Sequence, residues 1–167
     1  MQEIIEITFE NLTFDCRVAG NKSDALVIFL HGFPETSFMW KNLILDISKL
    51  GFYCIAPNLR GYSNKACPPG KKNYTLDKLA KDVIGIAKAI GKDKFHLVGH
   101  DWGAGIGWKV AHDYPNAILS WTGLSVPHLQ AFGEAILKDS EQIGMSQYIK
   151  SFQWPLLPEK MIIKKRF

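Results

Sequence analysis

The stretch Gly99-His100-Asp101-Trp102-Gly103 constrains this 167-residue chain more than any other, because it puts a carboxylate where a strand must turn abruptly into a helix. Before it, Lys94-Phe95-His96-Leu97-Val98 reads as a short buried strand; after it, Ala104 to Tyr114 reads as a helix stopped by Pro115. The turn has the Gly-x-nucleophile-x-Gly pattern, with Asp in the place usually given to Ser. Glycines are expected on both sides, since the nucleophile's own backbone is strained there and a flanking Cβ would collide with the neighbouring strand or helix. The competing reading makes Asp101 only the N-cap of the helix, a role Asp fills well.

A second loop bears on that choice. Leu26-Val-Ile-Phe-Leu30 is an unbroken apolar run, as expected of a strand buried on both faces, and it runs straight into His31-Gly32-Phe33-Pro34-Glu35. A Gly-Phe-Pro loop at the carboxyl end of such a strand can aim a backbone N–H into the space above the sheet. An acyl-type intermediate needs such a donor for its oxyanion.

The punctuation of the chain gives the rest of the architecture. Glu3 to Phe9 and Leu12 to Val18 read as two strands around a tight Glu10-Asn11 turn, and Leu26 to Leu30 as the third. Thr36-Ser37 can cap a helix with Trp40, Leu43, Ile44, Ile47 and Leu50 on its apolar face, ended by Gly51. Phe52 to Ala56 is the fourth strand, Asn58 to Lys72 a loop, and Thr75 caps a helix carrying Leu76, Leu79, Val83, Ile86 and Ile90, closed by Gly91. Ile118 to Leu124 is the sixth strand, and beyond it Asp139 or Ser140 can cap a helix with Ile143, Tyr148 and Phe152 on its inward face. Strands alternating with helices predict a mostly parallel α/β sheet with flanking helices.

Charge and cysteine usage narrow the function classes. The net charge of +4 is mostly local, for Lys160, Lys164, Lys165 and Arg166 against Glu159 carry +3 of it. That is a basic tail and not a nucleic-acid-binding face. No apolar segment approaches the roughly 20 residues of a membrane span, and the acidic Met1-Gln-Glu-Ile-Ile-Glu start is no signal peptide, so a cytoplasmic protein is expected. Cys16, Cys54 and Cys67 are odd in number without C-x-x-C spacing, which predicts free, buried or half-buried thiols and neither disulfide nor zinc.

Two rival sites fail on spacing. In Gly103-x-Gly105-x-Gly107 the third glycine of a dinucleotide loop would fall at Trp108, and no acid ends the next strand. His96 and His100, four residues apart on a strand, are separated by about 13 Å and cannot share a metal. They read as packed, hydrogen-bonded histidines, as do His112 and His128. No cofactor and no metal are called for.

Five segments carry a resemblance to a known family: His31-Gly32-Phe33-Pro34-Glu35, Asn58-Leu59-Arg60-Gly61-Tyr62-Ser63, Gly99-His100-Asp101-Trp102-Gly103-Ala104, Ser125-Val126-Pro127-His128, and Tyr148 with Phe152-Gln153-Trp154-Pro155. In this order they resemble the α/β-hydrolase superfamily, and within it the epoxide hydrolases, over nearly the whole chain. The resemblance implies an N-terminal part of the hydrolase core over 1–124 and the beginning of a helical cap, with the basic tail, over 125–167. It also implies a longer protein, in which further strands, a second acid and a catalytic His follow. A truncated product or one piece of a split enzyme is therefore the expectation.

Chemistry follows from the nucleophile. An Asp attacking an ester would give a labile anhydride, whereas displacement at an sp³ carbon gives an ordinary ester, so the substrate class is an epoxide or an alkyl halide. By resemblance Asp101 is the nucleophile, Tyr148 one of two cap tyrosines that activate the epoxide oxygen, and the Phe33 and Trp102 amides form the oxyanion hole. His31 braces the oxyanion loop, with Gly32, Pro34, Gly99, His100 and Gly103 in support. Haloalkane dehalogenases are the nearest alternative and share the Asp followed by Trp, but their halide is typically held by that Trp together with an Asn where Phe33 stands. Another class is a non-catalytic remnant that uses the unpaired apolar edge of the sixth strand for self-association or for a complementing C-terminal fragment.

Overall fold

Strands and helices alternate along the chain as the apolar pattern requires. The computed structural model describes residues 2–151, which fall into two compact units divided between Pro127 and His128. In the first, strands β1 (Gln2–Phe9), β2 (Leu12–Ala19), β3 (Ala25–Leu30), β4 (Phe52–Pro57), β5 (Phe95–His100) and β6 (Ile118–Leu124) form one sheet in the order β1-β2-β4-β3-β5-β6. β1 and β2 form a hairpin, β2 lies antiparallel to β4, and β4, β3, β5 and β6 run parallel.

The apolar run of β3 is explained by its two covered faces. Val27 and Phe29 pack with Trp40 and with Ile44 of α1 (Lys41–Ser48). Leu26, Ile28 and Leu30 share the other core with Val83 and Ile86 of α2 (Leu76–Ala89) and with Ile106 and Val110 of α3 (Trp102–Asp113). Each such side chain contributes roughly 1.5–3 kcal/mol by leaving water. The sheet is thus fixed from both sides, with the carboxyl ends of β3 and β5 adjacent.

Several boundaries differ from the sequence reading, each for a local reason. Thr36 does cap, accepting the Phe38 N–H, but the first turn is a 3-10 helix, Ser37–Trp40, and α1 ends at Ser48. Leu50 thus falls beyond the helix and is exposed, and Leu43, although within α1, is exposed as well, so neither is part of the apolar face. Thr75 sits at the N-cap of α2 without a side-chain capping bond. β5 runs two residues beyond Val98, because Gly99 and His100 pair with Gly123 and Leu124, and α3 begins at Trp102 instead of Ala104. Cys16 and Cys54 are buried, but Cys67 is exposed in the loop after β4, where its Sγ lies 3.1 Å from the Ser63 carbonyl oxygen.

The second unit contains α4 (Leu129–Lys138), α5 (Ser140–Met145) and α6 (Gln147–Ser151). Asp139 caps α5 through the N–H groups of Glu141 and Gln142, but the single helix expected to carry Ile143, Tyr148 and Phe152 is broken at Ser146. Ile143 and Tyr148 are exposed, while Phe152 to Pro155 and the basic tail lie outside the described residues. Among the described residues no helix is long and apolar enough to cross a membrane.

Two glycines of α3 give an internal comparison. A Cβ on Gly103 would lie 2.6 Å from the Leu30 carbonyl carbon and 2.7 Å from the His31 carbonyl oxygen, whereas one on Gly105 would meet nothing within 4 Å. Gly103→Ala is expected to destabilise the chain by about 3 kcal/mol, at the upper end of overpacking costs, since backbone must move. Gly105→Ala should stabilise it by up to about 1 kcal/mol, through helix propensity. Urea midpoints of the two variants would test this pair of opposite signs.

Candidate active site

Asp101 sits between β5 and α3 with φ 52° and ψ −121°, a left-handed backbone that costs a non-glycine residue roughly 1–3 kcal/mol. Its carbonyl accepts from the N–H groups of Ala104 and Gly105 and so starts the helix. Its side chain makes no capping bond. Instead Oδ1 accepts the Phe33 N–H across 68 positions of sequence, at 3.0 Å. The carboxylate thus belongs to the loop after β3, and the simple capping role does not describe it.

Glycines make that approach possible. A Cβ on Gly32 would lie 2.5 Å from the Asp101 Cβ, and one on Gly99 2.9 Å from the Ala104 nitrogen. Gly103 is blocked in the same way by Leu30 and His31. The loop itself is a tight turn closed by Glu35 N–H donating to the Gly32 carbonyl at 3.0 Å, with a cis peptide before Pro34.

His31 holds this loop against the one after β4. The Leu59 N–H donates to Nε2 at 3.0 Å, which requires that the proton sit on Nδ1, and Nδ1–H donates to the Gly32 carbonyl at 2.9 Å. The ring is fully buried, and the Tyr62 ring packs edge-on at 4.6 Å. Burial lowers the His31 pKa, opposed by the Gly32 carbonyl and by the Glu35 charge. Both nitrogens are committed, so this imidazole is a brace and has no lone pair for a proton.

A mostly apolar pocket of about 210 Å³ opens beside these groups, lined by Gly32, Phe33, Leu59, Arg60, Tyr62 and Trp102 among others. The Trp102 amide is at the first position of α3, where an N–H has no partner inside the helix. Burial, and after it the Asp101 charge, holds the Tyr62 hydroxyl above its usual range. The structure therefore brings together Asp101, Phe33, Trp102, His31, Gly32, Pro34, Gly99 and Gly103. Tyr148 lies on α6 in the second unit.

The other histidines need correction. His96 does bond the Ser120 hydroxyl, at 2.7 Å, but Nδ1 of His100 is buried without a hydrogen-bond partner. His112 is exposed and pairs with Asp113, and His128 caps α4 by accepting the Gln130 N–H. Sequence reasoning gave no role to Tyr62 and missed the buried Asp82, which binds Arg60 through both carboxylate oxygens. A signal was present: Asp82 falls on the apolar stripe of α2, between Leu79 and Ile86, where a carboxylate requires a buried partner.

Residues 25–154 match the alpha/beta hydrolase fold family. The chain is 35% identical to epoxide hydrolase 4 of Homo sapiens over 94% of its own length and 43% of that protein. Against epoxide hydrolase 2 of Siraitia grosvenorii the identity is 33%, over 95% of this chain and 51% of that one. Among solved structures, the Bacillus megaterium epoxide hydrolase in complex with an inhibitor superposes with a TM-score of 0.87 at 31% identity, covering 97% of this chain and 55% of that one. The chain thus spans about half the length of the curated relatives it matches.

The buried His31 ring predicts acid sensitivity. Its folded pKa lies below the unfolded value of about 6.5, so between the two the unfolded chain binds more protons. The stability carried by the neutral ring is complete above the unfolded value and is lost as pH falls through that value toward the folded one. Urea midpoints measured from pH 7.5 down to 5 should fall for the wild type and fall less steeply for His31→Gln. Parallel slopes would contradict this.

Proposed function

The chain belongs to the alpha/beta hydrolase fold family, and from that premise we propose that it carries the nucleophile and oxyanion part of an epoxide hydrolase site. The reading rests above all on the Phe33 N–H bound to Asp101 Oδ1, because that bond makes the two carboxylate oxygens different. Oδ2 is the attacking atom. It forms a C–O ester bond to a ring carbon as the epoxide C–O bond breaks, and the ring oxygen takes a proton from a phenol, the role assigned to Tyr148. Oδ1 becomes the ester carbonyl oxygen. When water adds to that carbonyl, the negative charge falls on Oδ1, where the Phe33 amide and that of Trp102 receive it.

Substrate class follows from the nucleophile and the pocket. A carboxylate suits displacement at sp³ carbon, and the largely apolar walls favour a small hydrophobic epoxide. Phe33 offers no side-chain donor for a departing halide, which favours the epoxide over the haloalkane. No cofactor enters the scheme. Ester hydrolysis requires a base to drive water onto the carbonyl, and the histidine lining the pocket, His31, has both ring nitrogens engaged. The edge strand β6, with Leu119 and Leu124 exposed, is the place where a complementing fragment or second copy would pair.

Alkylation without turnover is the expected behaviour of the 167-residue chain. Incubation with a small aryl epoxide and intact-mass analysis should show one stable adduct, which peptide mapping assigns to Asp101 and which Asp101→Ala abolishes. Sustained diol production by the purified chain would contradict the reading of His31 as a brace that cannot serve as the base, and an adduct at another residue would contradict the assignment of the nucleophile.

A further inference from the structure

The Arg60–Asp82 pair is too well formed and too buried to be incidental. Arg60 Nε donates to Asp82 Oδ2 at 2.7 Å and Nη2 to Oδ1 at 2.6 Å, with both side chains more than nine-tenths buried. The third nitrogen, Nη1, donates to the Asn73 carbonyl at 3.1 Å. All three guanidinium nitrogens are thus used, and the fork ties the middle of the loop after β4 to α2. An ion pair removed from water contributes little net stability compared with apolar packing of similar volume, so its presence at this depth requires another reason.

The neighbouring residue supplies one. Leu59 N–H is the donor that fixes Nε2 of His31, whose Nδ1–H holds the Gly32 carbonyl, one residue from the Phe33 amide on Asp101. The two ends of the loop are pinned separately, since Asn58 Oδ1 accepts the Ser37 N–H and Ser63 Oγ accepts the Asp15 N–H. Between those pins the Leu59 carbonyl accepts the Tyr62 N–H at 2.8 Å and the Ala66 carbonyl accepts the Gly61 N–H at 2.9 Å, and the Arg60 fork ties this turn to α2. Arg60 also lines the pocket, where pairing with Asp82 leaves its wall without net charge.

We propose that the Arg60–Asp82 pair is a positioning device that acts through Leu59 and His31 to hold the Phe33 N–H on Asp101, a role that rests on the epoxide-opening reading of the site. Neither residue touches the reacting atoms. The ion pair sets the loop, the loop sets the imidazole, and the imidazole sets the oxyanion donor.

The double variant Arg60→Met/Asp82→Leu removes both charges together and so leaves neither buried unpaired. Amide hydrogen exchange read by NMR should show the Phe33 N–H exchanging about tenfold faster, within the range expected for coupling through a packed network, while Ile28 in β3 is unchanged. Adduct formation at Asp101 should slow by a similar factor at saturating aryl epoxide, where a change in binding from the pocket-lining Arg60 does not enter. The exposed pair Lys65–Glu6 is the control, and Lys65→Met/Glu6→Leu should move neither reading. Equal acceleration at Phe33 and Ile28, or at neither, would overturn the proposal by reducing the pair to a structural role. If the double variant does not fold, Arg60→Lys, which keeps the charge but loses the fork, decides by the same comparison of the two amides. Absence of any adduct in the wild type would overturn the epoxide reading alone, since the exchange of Phe33 still reports the positioning.

Discussion

The close approach of two backbone segments, at the carboxyl ends of β3 and β5, is the constraint on which the rest depends. Gly32 lies against the Asp101 side chain and Gly103 against the Leu30 and His31 carbonyls, so that neither position has room for a Cβ. Only at that distance does the Phe33 N–H reach Oδ1 of Asp101. The parallel pairing of β3 with β5 brings the two loops to one end of the sheet, and the cores on both faces keep the strands from sliding.

Strain and order are linked at this point. Asp101 holds a backbone conformation that costs a non-glycine residue roughly 1–3 kcal/mol, and the surrounding bonds over-determine it. Its carbonyl is fixed by two N–H groups of α3, its N–H by the Leu124 carbonyl of β6, and one carboxylate oxygen by Phe33. In the proposed epoxide-opening role, a carboxylate held this way would need no reorganisation when charge moves onto Oδ1, which is the condition under which a preset donor is most effective. The buried, neutral His31 extends the same order to the loop after β4.

Much of this was legible in the sequence, and the reasons for success and failure are physical. The glycines around Asp101 and the unbroken run Leu26 to Leu30 are local signals of steric exclusion and two-sided burial, and they gave the turn, the sheet and the parallel class. Helix ends were less legible: Leu50 falls beyond the end of α1, and Ser146 interrupts the stripe of Ile143 and Tyr148, because apolar spacing continues where hydrogen bonding stops. The bonds of Asp101 to Phe33 and of Arg60 to Asp82 join residues far apart in sequence, so spacing alone could not pair them. For Asp82 the clue was its place on an apolar stripe. For Tyr62 no sequence signal separated a packing ring from one beside a carboxylate.

The central claim is that Asp101 and the Phe33 amide form one unit, and the amide resonance of Phe33 tests it most directly. Replacing Asp101 by Asn keeps the shape of the side chain but removes the charge that the Phe33 N–H binds. The Phe33 amide should then shift more than any other outside the sequence neighbours of residue 101, moving upfield in proton as the charge-assisted bond weakens. A Phe33 resonance that stays in place, with the largest distant changes elsewhere in the sheet, would contradict the account.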